Sequence, residues 1–152
     1  MANTLITTIY EGNAVKVAIT KLSPDKLILI AGQRGDKTQD KTISEFKEFY
    51  KNNLPIEVLK TSVYDMTKIS KDVIKKIDEE IKHKNEITIH ITEARKTISL
   101  AILFAAYLRK DKIKGAYYIT EEKNELLSLP LLDVGLRNTK KRMLQEISKG
   151  NG

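Results

Sequence analysis

The sequence contains no cysteine and no tryptophan, and it has only two histidines, His83 and His90. Without cysteine there is no disulfide, no thiolate nucleophile and no cysteine ligand for a metal, and two histidines alone do not build a typical zinc site. No apolar run approaches the roughly 20 residues that a membrane span needs, and the N-terminus lacks a basic region followed by a long apolar stretch. We therefore expect a cytoplasmic protein with no metal, no cofactor and no membrane contact.

The composition that remains is that of a folded domain. A chain of 152 residues corresponds to one domain of typical size, roughly 100 to 200 residues. Hydrophobic residues make up 41% and charged residues 31% of the sequence, which is typical of a globular protein rather than a disordered one. The net charge of +7 favours an anionic partner without identifying it.

Short apolar runs that predict strands alternate with segments of helical periodicity. The predicted strands are residues 4–9, 26–31, 56–63, a fourth that carries Ile87, Ile89 and Ile91, then 116–120 and 126–132. The predicted helices are residues 14–22, 43–50, 67–83 and 97–108, with a last one from Asn138 or Thr139 to Ile147. Residues 33–42 are polar and predict a loop. The helix at 97–108 is apolar on nearly every side and is therefore expected to be buried.

This alternation predicts an α/β fold, namely a Rossmann-like three-layer sandwich with a mainly parallel sheet and helices on both faces. In such sheets, ligands bind beyond the carboxyl ends of the strands, where the strand order reverses. In the common order 3-2-1-4-5, that place lies between the first and fourth strands. Two loops, residues 10–13 and residues 92–97, follow those strands and are the candidate binding loops.

The second loop is the more informative, because Arg95 and Lys96 stand at the start of an apolar helix. A helix N-terminus presents unpaired backbone N–H groups and partial positive charge, so two added cations favour an anion site, with phosphate as the expected anion. The alternative is that both side chains extend into water. Removing either cation from this end of the helix would then change ligand binding little.

Three further features each leave two interpretations open. In residues 10–13, Gly12 allows close approach of a ligand, but a strand-to-helix turn needs a flexible residue anyway. Residues 32–36 either flank the same crevice or form a mobile surface loop. His90 is either a hydrogen-bonded structural residue or a catalytic base, and the first is favoured because no Ser, Asp or Cys stands in a motif with it.

Two segments together resemble the CARF domain, the CRISPR-associated Rossmann fold: TLITTIYEGNAVKVAITKLSPDKLILIAG and ITEARKTISLAILFAAYL. In that family, the fourth strand ends in a threonine, followed by a small, usually glycine-rich turn and a basic residue that lead into an apolar helix. Residues 92–97 are similar, with Arg95 and Lys96 at the basic positions. The chain departs from the pattern in having Glu93-Ala94 where a pair of glycines is common. The resemblance covers about residues 3–132.

The resemblance implies a homodimer whose two crevices face each other and bind one cyclic oligoadenylate, with cyclic tetraadenylate as the first candidate. A symmetric ring suits a two-fold dimer. Arg95, Lys96 and the helix N-terminus would hold phosphates, and residues of both loops would contact ribose or adenine. The implied ligand-binding set is Thr8, Tyr10, Glu11, Gly12, Asn13, Thr92, Glu93, Ala94, Arg95, Lys96 and Thr97.

Two other functions remain open at this point. Some CARF domains cleave the ring without a metal, by bringing a ribose 2′-hydroxyl onto the neighbouring phosphate, and Lys96 would then be the candidate catalytic residue. Residues 133–152 are similar to the junction in CARF-containing transcriptional regulators where a winged-helix domain begins. We expect residues 3–132 to form the ligand-binding domain and residues 133–152 a linker and helix, with DNA bound only through such an attached domain.

Overall fold

Strands and helices alternate from Asn3 to Ile119 in the computed structural model, which describes residues 2–133. The strands are β1 (Asn3–Thr8), β2 (Lys26–Gly32), β3 (Ile56–Thr61), β4 (Glu86–His90), β5 (Gly115–Ile119) and β6 (Leu126–Ser128). The helices are α1 (Asn13–Leu22), α2 (Lys37–Tyr50), α3 (Met66–Lys82) and α4 (Lys96–Leu108). The helix predicted from Asn138 or Thr139 to Ile147 lies outside the described residues.

The strands form one six-stranded sheet in the order β3-β2-β1-β4-β5-β6. The strands β1 to β5 run parallel, and β6 pairs with β5 in the antiparallel direction. Thr8 of β1 lies beside Ile30 of β2, and Thr7 lies beside His90 of β4. The order therefore reverses between β1 and β4, and the predicted Rossmann-like α/β fold is confirmed.

The central strands bury side chains on both faces of the sheet. Leu5 packs with the helices α1 and α2, whereas its neighbour Ile6 packs with α3 and α4. Leu29 and Ile30 of β2 alternate in the same way. Burial on both faces explains why β2 reads as a continuous apolar run rather than as an alternation of apolar and polar residues. The helices thus form the two outer layers.

Helix α2 begins at Lys37, so the loop predicted over residues 33–42 is wrong from residue 37 onward. The Asp36 carboxylate caps this helix by accepting a hydrogen bond from the Gln39 backbone N–H at 3.0 Å. A capping aspartate satisfies one of the N–H groups that the first helical turn leaves unpaired. The first buried side chains are Thr42 and Ile43, and therefore no apolar period marks where the helix starts.

Helix α4 is buried on one side and exposed on the other. Ala101 and Ile102 are fully buried, but Leu100, Phe104 and Leu108 are 49%, 60% and 64% exposed. The expectation of a helix buried on nearly every side is therefore wrong for this face. Since residues four apart lie on one face of a helix, these three form a continuous apolar strip, the α4 stripe.

An ion-pair network fastens the amino ends of β2 and β3 to α3. Lys26 Nζ lies 2.6 Å from Glu80 Oε1 and 3.2 Å from Glu57 Oε2, and Lys76 also pairs with Glu57. Burial by itself would raise the pKa of Glu80, but hydrogen bonds from Lys26 and Asn85 hold that pKa below its ordinary value. This edge of the sheet is closed by charge pairs, and the carboxyl edge carries the loops.

Candidate functional site

A crevice of about 970 Å³ opens beyond the carboxyl ends of β1 and β4. It extends from the β2–α2 loop on one side to the β5–β6 loop on the other. Ligand pockets in proteins are typically about 300 to 1,000 Å³. Its lining consists of Ile9, Tyr10, Glu11, Asn13, Ala14, Ile30, Gly32, Arg34, Gly35, Asp36, Gln39, Val63, Thr92, Glu93, Ala94, Arg95, Ile98, Ile119, Thr120, Glu121 and Asn124.

The crevice brings together part of the predicted ligand-binding set. The members that line it are Tyr10, Glu11, Asn13, Thr92, Glu93, Ala94 and Arg95. Thr8 and Gly12 are buried and do not line it. The Thr97 hydroxyl donates to the Val63 carbonyl oxygen at 2.6 Å. Lys96 is exposed and lies outside the lining, so the two adjacent cations of this loop differ in position.

Glu93 joins the two loops that the sequence singles out. Its carboxylate accepts hydrogen bonds from the backbone N–H groups of Tyr10 at 3.1 Å, Gly12 at 2.7 Å and Ala14 at 3.0 Å. These groups stand at the N-terminus of α1, where the helix dipole favours a negative charge. Glu93 therefore supplies the anion that this helix end attracts, and its charge is satisfied within the protein.

The turn that presents these N–H groups to Glu93 requires glycine at position 12. It precedes α1 with φ of 94°, in the left-handed region that favours glycine. A Cβ atom at this position would lie 2.6 Å from a ring carbon of Phe46. Gly12 is thus needed for the turn itself and for the packing of α2 against that turn. This is the structural interpretation of Gly12, rather than the close approach of a ligand.

His90 lies at the carboxyl end of β4 with both ring nitrogens engaged. Thr7 Oγ1 lies 2.8 Å from Nδ1, and Thr92 Oγ1 lies 2.6 Å from Nε2. The Thr7 hydroxyl donates its one hydrogen to the Thr8 carbonyl oxygen, so it accepts from Nδ1–H. The Nε2 atom then accepts from the Thr92 hydroxyl. This network assigns the neutral tautomer with the proton on Nδ1.

Burial lowers the pKa of His90 to about 4, although the nearby charge of Glu93 acts in the opposite direction. The imidazole is therefore neutral at pH 7. Because both nitrogens are occupied, the hydrogen-bonded structural role favoured by the sequence is the one observed. The Thr92 hydroxyl oxygen also accepts from the Ile119 N–H at 3.0 Å, so His90 orients a side chain that lines the crevice and is tied to β5.

A cluster of Arg34, Tyr64 and Arg95 stands at the crevice. Arg34 Cζ lies 5.2 Å from the centroid of the Tyr64 ring, and Arg95 Cζ lies 5.8 Å from it. Arg95 Nη1 also donates to the Tyr64 hydroxyl at 3.4 Å. Among the crevice-lining residues that the structure describes, these two arginines are the only cations. We call these three residues the arginine–tyrosine cluster.

Sequence reasoning missed Tyr64 and the residues of the β5–β6 loop. Tyr64 follows β3 by three residues, and the carboxyl ends of parallel strands share one edge of the sheet. This shared edge was the signal in the sequence that could have placed Tyr64 near the crevice. Thr120, Glu121 and Asn124 follow β5 at the same edge, but they carry no motif that would distinguish them from an ordinary turn.

Neither a metal centre nor a membrane-spanning helix is found within residues 2–133. In this part of the chain, no three His, Asp or Glu side chains are grouped so that they could hold a metal ion. No helix there is long and apolar enough to cross a bilayer. The crevice offers hydrogen-bonding groups, two arginines, and the carboxylates of Glu11, Asp36, Glu93 and Glu121.

The sequence from residue 5 to residue 124 matches a protein family described as HFX_2341_N:-like, N-terminal. The match covers most of the 152 residues. A search of curated proteins finds no match.

Solved structures share the fold at low sequence identity. Can2 from Sulfobacillus thermosulfidooxidans, in complex with cyclic tetra-adenylate, is 13% identical with a TM-score of 0.65, over 84% of this chain and 34% of that one. Csm6 from Enterococcus italicus, bound to cyclic hexa-2′-fluoro-hexa-dAMP, is 12% identical with a TM-score of 0.66, over 98% and 39%. A type III CRISPR defence DNA nuclease activated by cyclic oligoadenylate is 11% identical with a TM-score of 0.67, over 84% and 20%.

The chain thus spans between 20% and 39% of the length of these proteins. At such identities the likeness concerns the fold. These structural neighbours are CARF-domain proteins, so the fold that the resemblance implies is confirmed. The chain therefore has the Rossmann-like fold of CARF domains and belongs to the HFX_2341_N:-like, N-terminal family.

Proposed function

We propose that this chain is a sensor domain that binds a cyclic oligoadenylate in the crevice between β1 and β4. The observation that carries the proposal is the position of Arg34 and Arg95, the crevice cations, where the strand order reverses. Ligands of open α/β sheets bind at this place. Solved proteins of the same fold include complexes with cyclic adenylates.

The remaining lining supports recognition of a nucleoside. Asn13, Thr120 and Asn124 carry amide or hydroxyl groups that can pair with ribose and adenine. Ile98 and Ile119 offer apolar surface beside them. Pockets for small molecules combine apolar walls with a few placed polar groups in this way. We take cyclic tetraadenylate as the first candidate ligand and cyclic hexaadenylate as its competitor.

The proposed sensor acts as a homodimer, with a second copy of the chain covering the α4 stripe. Helix α4 begins beside the crevice, directly after Arg95, and exposes Leu100, Phe104 and Leu108 along one face. Exposed apolar surface of this continuity is uncommon on a monomer and is typical of an interface. A two-fold dimer places two crevices so that each can take one half of a symmetric ring.

Residues 133–152 enter the proposal only as the predicted connection to a winged-helix domain. The linker, the helix and the start of a winged-helix domain predicted there fall on residues 134–152, outside the described residues. A role in transcriptional regulation, in which DNA is bound through such an attached domain, therefore stays a prediction, as does the cytoplasmic location.

The alternative proposal is a metal-independent ring nuclease. The observation that favours it is the same pair of crevice arginines, because cations placed beside a phosphodiester can stabilise charge that develops in the transition state. Lys96, the catalytic candidate of the sequence, is exposed outside the lining. His90 has both nitrogens engaged and offers no free base. We therefore place the sensor first, and we expect no linear product when the protein is incubated with cyclic tetraadenylate.

Calorimetric titration of the purified protein with cyclic tetraadenylate and with cyclic hexaadenylate tests the sensor. We expect saturable binding of one ring per two chains. Absence of heat with both rings would overturn the proposal. Chromatography of the same mixtures after incubation separates the two candidates, since a linear product with a cyclic phosphate end requires the nuclease.

A further inference from the structure

We propose that Arg34 and Arg95 form a single phosphate clamp and that Tyr64 holds the two guanidinium groups in place. The inference rests on the proposed function, because it names the groups that would hold one phosphodiester of the ring. It concerns the β2–α2 loop, for which the sequence left two interpretations open, and the β3–α3 loop, which the sequence did not assign to the site. Tyr64 is a positioning residue in this scheme, and the arginines make the contact.

The geometry of the arginine–tyrosine cluster carries the first step. Both guanidinium carbons lie against the same aromatic ring, at 5.2 Å for Arg34 and 5.8 Å for Arg95 from its centroid. Cations within about 6 Å of a ring centroid are attracted by the ring. Tyr64 itself is 56% exposed, so this arrangement stands at the surface where a ligand can reach it.

The carboxylates nearest to the cluster in sequence, Asp36, Asp65 and Glu93, each accept backbone N–H hydrogen bonds at a helix N-terminus, which is the second step. The carboxylates of Glu11 and Glu121 also line the crevice. Asp36, two residues after Arg34, accepts from the Gln39 backbone N–H at 3.0 Å and caps α2. Asp65, next to Tyr64, accepts from the Lys68 backbone N–H at 3.0 Å and caps α3. Within residues 2–133, neither Arg34 nor Arg95 has a carboxylate within the 4.0 Å of an ion pair.

Two like charges on one ring repel each other, and an anion between them removes that repulsion. Each guanidinium has five N–H donors in a planar fork that suits phosphate oxygens. The contacts that hold the cluster use few of these donors, because attraction to the ring needs none and only Arg95 Nη1 donates to the Tyr64 hydroxyl. The free donors of both residues are therefore available to one phosphodiester.

Tyr64 determines the separation of the two arginines in this arrangement. Arg34 and Arg95 come from different loops and are both exposed, so without the ring each side chain would sample many rotamers. Immobilising a long side chain on binding costs conformational entropy. A ring that orders both side chains before the ligand arrives reduces that cost.

The test uses four variants of the full chain: Arg34→Ala, Tyr64→Leu, Tyr64→Phe and, as the matched control, Lys37→Ala. Lys37 is an exposed cation near Arg34 that does not line the crevice. With cyclic tetraadenylate, we expect Arg34→Ala to weaken binding by about tenfold or more, the effect of a lost charge-assisted hydrogen bond. Tyr64→Leu should weaken it by a smaller factor, whereas Tyr64→Phe keeps the ring and Lys37→Ala leaves the clamp intact.

Two readouts separate a clamp from a general loss of structure. The dependence of binding on salt should become shallower in Arg34→Ala, because one fewer cation meets the ligand. In the double variant Arg34→Ala with Tyr64→Leu, the two effects should not add, since Tyr64 acts partly through Arg34. Melting temperatures should stay close to that of the parent chain. Binding by Arg34→Ala and Tyr64→Leu equal to that of Lys37→Ala would overturn the clamp and leave the sensor standing.

If the parent chain binds neither ring, the proposed function fails and the clamp is tested with inorganic pyrophosphate. Pyrophosphate binding by the parent chain that is lost in Arg34→Ala and retained in Lys37→Ala would support the clamp alone. Absence of pyrophosphate binding, or equal binding by all variants, would overturn it.

Discussion

The Glu93 carboxylate accepts a hydrogen bond from the Gly12 backbone N–H at 2.7 Å, between residues 81 positions apart in the sequence. The same carboxylate accepts from Tyr10 and Ala14. A carboxylate next to an expected phosphate site looks unfavourable when only the β4–α4 loop is considered. The structure shows that both of its oxygens accept from backbone N–H groups at the N-terminus of α1, where the helix dipole favours a negative charge.

Replacing Glu93 with Gln should destabilise the protein by about 1 to 3 kcal/mol, the range for a buried donor that loses a charged acceptor. The amide keeps the shape of the side chain, but it lacks the charge that the α1 N-terminus favours, and its NH₂ group faces backbone N–H donors. Urea unfolding measures the change. The matched control is Glu11→Gln, which alters an exposed carboxylate of the adjacent loop and should leave stability nearly unchanged.

Removing the carboxylate altogether should create an anion site. In Glu93→Ala, the three N–H groups that now meet Glu93 lose their acceptor, and helix N-termini bind phosphate and sulfate. We expect phosphate in the millimolar range to raise the Tm of Glu93→Ala more than that of the parent chain. Equal shifts in both proteins would mean that the three N–H groups do not keep their arrangement when Glu93 is removed.

The buried His90 predicts how stability depends on pH. Its folded-state pKa is lowered from 6.5 to about 4, so between these values the unfolded chain binds a proton that the folded chain does not. Stability therefore falls as the pH decreases from about 6.5 to about 4, by roughly 3 kcal/mol at most from this group. An imidazole titration by NMR measures it directly, with His83→Gln used to assign the second histidine. A midpoint for His90 near 6.5 would contradict the expected burial effect.

Arg95 and Lys96 should differ in their effect on ligand binding. Arg95 lines the crevice, and Lys96 is exposed outside it. We expect Arg95→Ala to weaken binding of cyclic tetraadenylate by about 1.5 to 3 kcal/mol, as for a charge-assisted hydrogen bond, and Lys96→Ala by less than half of that. Calorimetry on both variants checks the order. If Lys96→Ala proved the more damaging, the phosphates would have to lie over the exposed side of the α4 N-terminus.

The α4 stripe predicts the oligomeric state. Phe104→Glu places a charge in the centre of the stripe and should convert a dimer into a monomer in sedimentation at micromolar concentration. Phe49→Glu is the control, because Phe49 is 76% exposed on α2 and lies on the other face of the sheet. Two results would refute the proposed interface: a monomeric parent chain, or a Phe104→Glu protein that still forms the dimer.

The fold was predictable because the strands are short segments rich in Ile, Leu and Thr that alternate with segments of helical periodicity. The place of the crevice followed from the order of strands and helices alone. The start of α2 was not predictable from periodicity, since its first turn carries no apolar side chain and is recognised only from the Asp36 cap. The exposure of Phe104 was not predictable either, because an apolar helix sequence does not distinguish a face buried in the core from a face at an interface.

The site was less predictable than the fold, because its relationships link residues far apart in the sequence. Nothing near Glu93 indicates that its partner is the α1 N-terminus. Tyr64 is a single aromatic residue in a polar loop, and its importance depends on two arginines from other loops. His90 was predicted from its strand position to be hydrogen-bonded, but its tautomer depends on the Thr7 hydroxyl, which only the three-dimensional network reveals.

The C-terminal end of helix α4 is joined to the last residues that the structure describes. The Leu132 carbonyl oxygen accepts hydrogen bonds from the Tyr107 hydroxyl and from Lys110 Nζ, and Lys110 also pairs with Asp133. With 13 residues, the helix is a strut of about 20 Å that has Arg95 at one end and the chain leaving the sheet at the other. A rigid helix cannot tilt at one end alone, so in the proposed sensor a displacement of Arg95 would be accompanied by a displacement of Leu132 and Asp133.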